Sequence, residues 1–216
     1  MMKSSYSLLA GLVIALVVGV AHAQEAVKTK TLVPAKATTK SETFVQPKVS
    51  LETSMGTIVL ALDPKKSPVT VDNFLKYVRD GYYNGLIFHR VIDGFMAQGG
   101  GMKPDMHPAT PRGPIVNESA NGLSNIRGSI AMARTSAPDS ATSQFFINEK
   151  DNKFLDARPG QPGYAVFGHV VKGMDVVDAM AKVKTGRNGA YSDVPITPIV
   201  IKKAVIIEPA ESKKSP

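Results

Sequence analysis

Cysteine and tryptophan are both absent from the 216 residues, and aromatic side chains make up only 6% of them. Without cysteine there can be no disulfide framework, thiolate zinc site, cysteine nucleophile or cysteine-borne lipid anchor. Long apolar runs are missing too. The longest, Leu8 to Val20, has 13 residues, short of the ~20 that span a bilayer. The phosphate-loop pattern G-x-x-x-x-G-K-[ST] does not occur, and Gly99-Gly100-Gly101-Met102-Lys103 is read more simply as a flexible strand exit. There is no G-x-S-x-G for a serine hydrolase. What is present, 43% hydrophobic and 20% charged residues, is ordinary globular composition, which excludes collagen-like and wholly disordered chains.

The net charge of +8 suggests nucleic acid until its location is traced. Residues 24–48 hold five lysines against Glu25 and Glu42, and Lys3, Lys213 and Lys214 add to the ends. Much of the excess therefore lies outside the body of the chain, and no nucleic-acid partner is expected. The N-terminal residues have the form of an address. Lys3 precedes the apolar run, and Ala21-His22-Ala23 offers small residues around a cleavage point. Residues 1–23 are expected to be a secretory signal removed after Ala23, which leaves no membrane span in the mature form and points to the periplasm. Residues 24–48 show neither a period of 2 nor one of 3.6 and read as a flexible basic linker. Residues 49–208 form one folded domain, and residues 209–216 read as a disordered tail.

Within that domain, Val49–Thr53 and Thr57–Leu62 flank a Gly56 turn as a hairpin. Ser67-Pro68 opens a helix, with Ser67 as N-cap, and Gly81 stops it. Leu86–Ile92 and Phe95–Gln98 read as strands joined at Asp93-Gly94. Short strands follow at 128–133, 143–147 and 164–168, then a helix over Met174–Val183 and a closing strand over Ile199–Ile207. Many short strands with two helices argue for an antiparallel barrel or sandwich.

The three histidines beyond the signal, His89, His107 and His169, have no metal-ligand spacing. The dense cluster is Phe88-His-Arg-Val-Ile-Asp-Gly-Phe-Met-Ala-Gln-Gly-Gly100. At a strand period of 2, Phe88, Arg90 and Ile92 would share one face, and Met96 and Gln98 another. A guanidinium and a carboxamide beside Phe95 and Met96 could make an apolar ligand pocket with a few fixed donors. Equally, Arg90 could pair with a carboxylate on a barrel rim.

FHRVIDGFMAQGG closely resembles the cyclophilin signature, and Gly128-Ser-Ile-Ala-Met-Ala-Arg134 with Ser143-Gln-Phe-Phe-Ile147 resembles its second half. The likeness runs from about Val49 to Ile207 and is nearest to periplasmic bacterial cyclophilins. It implies a mostly β fold, a closed eight-stranded antiparallel barrel capped by two α-helices, and peptidyl-prolyl cis/trans isomerase activity without cofactor or metal. It further implies Arg90, Gln98 and Phe95 as catalytic residues, with Gln98 holding Arg90. Met96, Phe146 and Leu155 would line a proline pocket, and Ala133, Arg134 and Gln144 would edge the groove. Three positions depart from the family's pattern. Phe154 stands for its frequent rim Trp, Tyr164 for its rim His after an insertion spanning Ala157 to Gly163, and Arg134 for an asparagine. The expected partners are proline-containing unfolded or nascent exported polypeptides, bound by a monomer, with weak cyclosporin binding for want of the Trp.

Overall fold

The computed structural model describes residues 46–207. Residues 1–45 and 208–216, which hold the expected signal, most of the expected linker and the expected tail, lie outside the described residues.

Ten strands, two α-helices and one 3-10 turn follow in chain order. Strand β1 (Lys48–Thr53) alternates strictly, with Val49, Leu51 and Thr53 inward, so Lys48 belongs to the first strand and not to the linker. It turns back into β2 (Gly56–Leu62) through Ser54-Met55, where the Thr53 hydroxyl donates to Gly56 O at 2.7 Å. Helix α1 (Pro68–Arg79) starts on proline at its first turn. The Ser67 side chain does not cap it. Its hydroxyl donates instead to Val166 O at 2.8 Å. The amides of Val69 and Thr70 are taken by the two oxygens of Glu118, at 3.1 and 2.8 Å, an anion where the helix dipole favours one. The helix ends as expected at Gly81, with φ 65°, and the amides of Gly81 and Tyr82 close on Val78 O and Tyr77 O.

Strands β3 (Ile87–Ile92) and β4 (Met96–Met102) form the next hairpin. Then come β5 (Ser129–Met132), β6 (Phe145–Asn148), a 3-10 turn (Lys153–Leu155), β7 (Val166–Lys172) and α2 (Met174–Ala181). A short hairpin, β8 (Thr185–Asn188) and β9 (Tyr191–Pro195), precedes β10 (Ile199–Ile207). Eight strands close an antiparallel barrel in the order β1-β10-β3-β4-β6-β5-β7-β2, and β8-β9 stand apart as a two-stranded sheet.

The interior is one cluster. Leu51, Ile58, Leu60, Phe88, Val91, Ile130, Met132, Phe145, Ile147 and Ile201 from the strands meet Phe74 of α1 and Met180 of α2. Phe74 packs within 5.2–5.6 Å of Tyr83, Phe145 and Phe167. The strand period then turns the alternate residues outward. Met96, Ala131, Phe146 and Val166 gather on the outer face with Phe95, Leu155 and Tyr164 as a separate apolar cluster. A barrel whose inside is full of side chains offers ligands only its outside, and this is where apolar residues have been left.

Candidate active site

The outer cluster floors a groove of about 670 Å³. Across strands β3, β4, β6 and β5 the register places Arg90, Gln98, Phe146 and Ala131 in one row. Phe95, Met96, Ala133, Arg134, Gln144, Leu155 and Tyr164 complete the predicted part of the lining. Phe154 lies just outside, 62% exposed, its ring nearly parallel to that of Phe95 at 5.8 Å.

The face assignment on β3 differs from the strict alternation expected of it. Phe88 pairs with Gly99 but Arg90 with Gln98, so His89 is an extra residue, a β-bulge. The bulge shifts the parity of the strand. Phe88 and Val91 both enter the interior, while Arg90 and Ile92 turn to the outer face. Phe88 therefore does not share a face with Arg90. His89 itself is buried, its Nδ1 without a partner, and desolvation lowers its pKa to about 4, with the neighbouring Arg90 charge acting in the same direction. It stands neutral at physiological pH.

The glycines after Gln98 are not a flexible exit. They continue β4 through Met102 and are buried. A Cβ on Gly100 would lie 2.8 Å from the Phe145 ring, and one on Gly101 would lie 2.4 Å from Gln144 Cγ. The missing side chain of Gly101 leaves the space in which Gln144 lies along the groove, and that of Gly100 leaves room for the Phe145 and Tyr83 rings. Gln98 does not hold Arg90. Its amide donates to Gln144 Oε1 at 3.0 Å, so the two carboxamides, one on β4 and one just before β6, brace each other. The partner of Arg90 is Asp193, whose Oδ2 stands 3.7 Å from Nε.

Arg134 is tied to the inserted loop. Nε donates to Gly163 O at 3.0 Å and Nη2 to Pro162 O at 2.6 Å. Its guanidinium lies 4.7 Å from the centre of the Tyr164 ring, which in turn meets Phe146 edge-on at 5.7 Å. The 3-10 turn carrying Phe154 and Leu155 is anchored by Asp156, which accepts from the Asn125 amide at 2.7 Å and from the Ser124 hydroxyl.

Reading the sequence missed one wall of the groove altogether. Ala190, Tyr191 and Ser192 line it from the β8-β9 hairpin, a segment assigned no element above. A signal was there, since the hairpin turns at Gly189-Ala190 with φ 58° on the glycine, a glycine-first two-residue turn. No group of three or more His, Cys, Asp or Glu residues able to hold a metal exists among the described residues. No helix among them is long and apolar enough to cross a membrane.

Known proteins resemble this chain in sequence and fold. The profile of the family described as cyclophilin type peptidyl-prolyl cis-trans isomerase/CLD matches residues 48–206. The chain is 58% identical over 160 residues to peptidyl-prolyl cis-trans isomerase A of Dickeya dadantii, covering 74% of this chain and 84% of that one. It is 51% identical over 164 residues to peptidyl-prolyl cis-trans isomerase B of Escherichia coli K12, covering 74% and 99%. A crystal structure of a Cryptosporidium parvum cyclophilin-type isomerase in the presence of the dipeptide Ala-Pro superposes with a TM-score of 0.62 at 27% identity, covering 75% and 99%. Barrel, outer groove, signature and relatives agree, and the chain belongs to the cyclophilin-type peptidyl-prolyl cis-trans isomerases.

Proposed function

We propose that this isomerase speeds X-Pro rotation in exported polypeptides, with Arg90 as the catalytic cation and the outer apolar cluster as the proline pocket. The observation that carries this reading is that Arg90 shares one open groove with Met96, Phe146 and Leu155, while the groove's other guanidinium, Arg134, is taken up by the carbonyls of Pro162 and Gly163.

Rotation about an X-Pro bond must give up amide resonance, a barrier of ~20 kcal/mol that takes tens of seconds to cross unaided. No covalent bond breaks, so neither a nucleophile nor a titrating base is required. As the bond twists, the proline nitrogen regains a lone pair. A fixed hydrogen-bond donor aimed at that lone pair stabilises the twisted state more than either planar one, which is the condition for catalysis. Arginine suits the task because it does not deprotonate. Met96, Phe146 and Leu155 would grip the ring while Phe95 closes one side. The braced pair Gln98 and Gln144 would offer amide and carbonyl groups to the substrate backbone, so that only the acyl side turns.

The setting is read from the signal-like residues 1–23. Export to the periplasm, with unfolded or nascent exported chains as clients, is the reading they support. N-terminal sequencing of the exported protein should begin at Gln24.

The catalytic reading is tested by Arg90→Ala in a protease-coupled assay on a proline peptide. Removing one preorganised donor at a developing charge costs ~10²–10³ in rate. A loss of that order with an unchanged circular-dichroism spectrum is expected, and Arg90→Lys should rescue little. Near wild-type turnover in Arg90→Ala would overturn the mechanism.

A further inference from the structure

Arg90 stands on a bulge of β3, and Asp193 stands on a bulge of β9. Between the pairs Gly186↔Val194 and Asn188↔Tyr191, Ser192 and Asp193 together oppose the single residue Arg187. Asp193 takes up this irregularity with φ 59°, in the left-handed region that favours glycine and that other residues occupy only under some strain. Strand β9 packs against β3, and the two bulges aim their side chains at each other. Asp193 Oδ2 lies 3.7 Å from Arg90 Nε and also accepts from the Ser192 hydroxyl at 3.1 Å. Among the described residues no other carboxylate pairs with Arg90, and no protein acceptor takes its Nη groups.

We infer that Asp193 is a positioning residue for the isomerisation, holding the Nε edge of the Arg90 guanidinium so that its Nη edge faces the twisting bond. The planar fork makes this possible, because an anion near one edge, here 3.7 Å from Nε and beyond hydrogen-bond reach, draws that edge toward it by charge and leaves the other edge free to donate. An arginine on a bulge at a groove lip would otherwise sample many rotamers, and each turn of the substrate would have to find it aligned. The carboxylate also carries a charge opposite to that of the cation, which on its own would weaken the field felt by the substrate. The two effects have opposite signs in rate. If orientation dominates, removing the charge slows the enzyme; if the field dominates, removing it speeds the enzyme. The pair is open to solvent, which screens the field of the carboxylate at the substrate, so orientation dominates.

The inference rests on Arg90 being the catalytic cation, and its test reads the two claims separately. Full-length protein carrying Asp193→Asn or Asp193→Gly is compared with wild type on an uncharged proline peptide. Glycine suits the left-handed backbone better than aspartate does, so Asp193→Gly preserves the hairpin while deleting the carboxylate. Both variants should lose about two- to fivefold in kcat, the range of a half-exposed ion pair, with KM changed by less than twofold. Raising the salt should slow wild type toward the variants and leave the variants unmoved, since the pair is open to solvent. The Arg90 Nε–H resonance, assigned by its loss in Arg90→Lys, should shift and exchange faster with water in both variants. Wild-type or faster turnover in Asp193→Gly, or an unmoved Nε–H resonance, would overturn the inference. If Arg90→Ala instead retained its activity while that resonance still moved, it is the catalytic reading that would fall, and with it any role for Asp193 in the reaction.

Discussion

Phe154 carries an exposed ring laid on Phe95 at 5.8 Å with 22° between their planes, so the rim of the groove is a two-ring stack. A Trp in this place could keep the stack and add an N–H at the groove edge. Phe154 has nothing to donate, and a cyclic peptide such as cyclosporin that offers a carbonyl there would leave it to water. Because the position is 62% exposed, the unmade bond is worth the net value of a solvent-accessible hydrogen bond, about 0.5–1.5 kcal/mol, and not the full penalty of a buried orphan. Phe154→Trp should therefore tighten cyclosporin binding by roughly three- to tenfold in calorimetric titration. A short proline peptide that stays over Met96 and Phe146 should turn over as before. No gain in affinity would place the rim elsewhere, on Tyr164 and Arg134.

At the scale of elements, what could be read in advance was whatever local chemistry decides. The hairpin around Gly56, the proline that starts α1, the glycine that ends it and the Asp93-Gly94 turn each act over a few residues. All of these stand where the sequence placed them. What could not be read depends on partners far along the chain. The bulge at His89 exists because β3 must present Phe88 to Phe145 and Arg90 to the groove at once. The amides that open α1 are met by Glu118, 48 and 49 positions away. Gly99 to Gly101 look like a loose exit until the Phe88, Phe145 and Gln144 side chains that crowd their Cβ positions are known. In the site, the side chains named by the family signature do converge, but the bond imagined between Gln98 and Arg90 is replaced by Gln98 to Gln144. The true neighbour of Arg90 comes from a hairpin outside the signature. The 157–163 loop depends on another such partner. Arg134 binds its carbonyls at Pro162 and Gly163 and stacks on Tyr164. Arg134→Ala should free this loop, seen as faster amide hydrogen exchange at Gly163 and Tyr164. The groove edge would then be less ordered, and KM for a proline peptide should rise severalfold with kcat nearly constant. Unchanged exchange at both amides would mean that the Asn117 and Ser119 bonds to Gly163 hold the loop unaided.

For the whole molecule, the barrel is closed by its two ends, Lys48 of β1 lying opposite Ile207 of β10, so that one cooperative unit contains both the core and the groove. Anything that penalises one buried group of that unit is therefore felt in global stability, and His89 is such a group. Burial lowers its pKa from 6.5 to about 4. Between those two values the unfolded chain binds a proton that the native barrel refuses. Stability thus rises with pH across this window and is lost as pH falls through it. The loss from this residue is complete below about pH 4 and amounts to about 3 kcal/mol, from a shift of ~2.5 units at 1.36 kcal/mol each. Asp156, whose burial is outweighed by hydrogen bonds from Ser124 and Asn125, and Asp178, held by Arg127, are both lowered from the ordinary carboxylate value and add their losses at the acid end of the window. Urea midpoints measured between pH 7 and 4 should accordingly fall, most steeply near pH 5–6, where only the imidazole of these three titrates. His89→Gln, which has no proton to take up, should flatten that part of the curve even if it lowers the plateau. Turnover should stay level between about pH 6 and 8, where His89 is neutral in the fold and the proposed reaction uses no titrating group. A wild-type stability that stayed constant from pH 6.5 to 4 would mean that the barrel opens enough to hydrate His89. In that case the bulge beneath Arg90 would be a far looser support for the guanidinium than its burial implies.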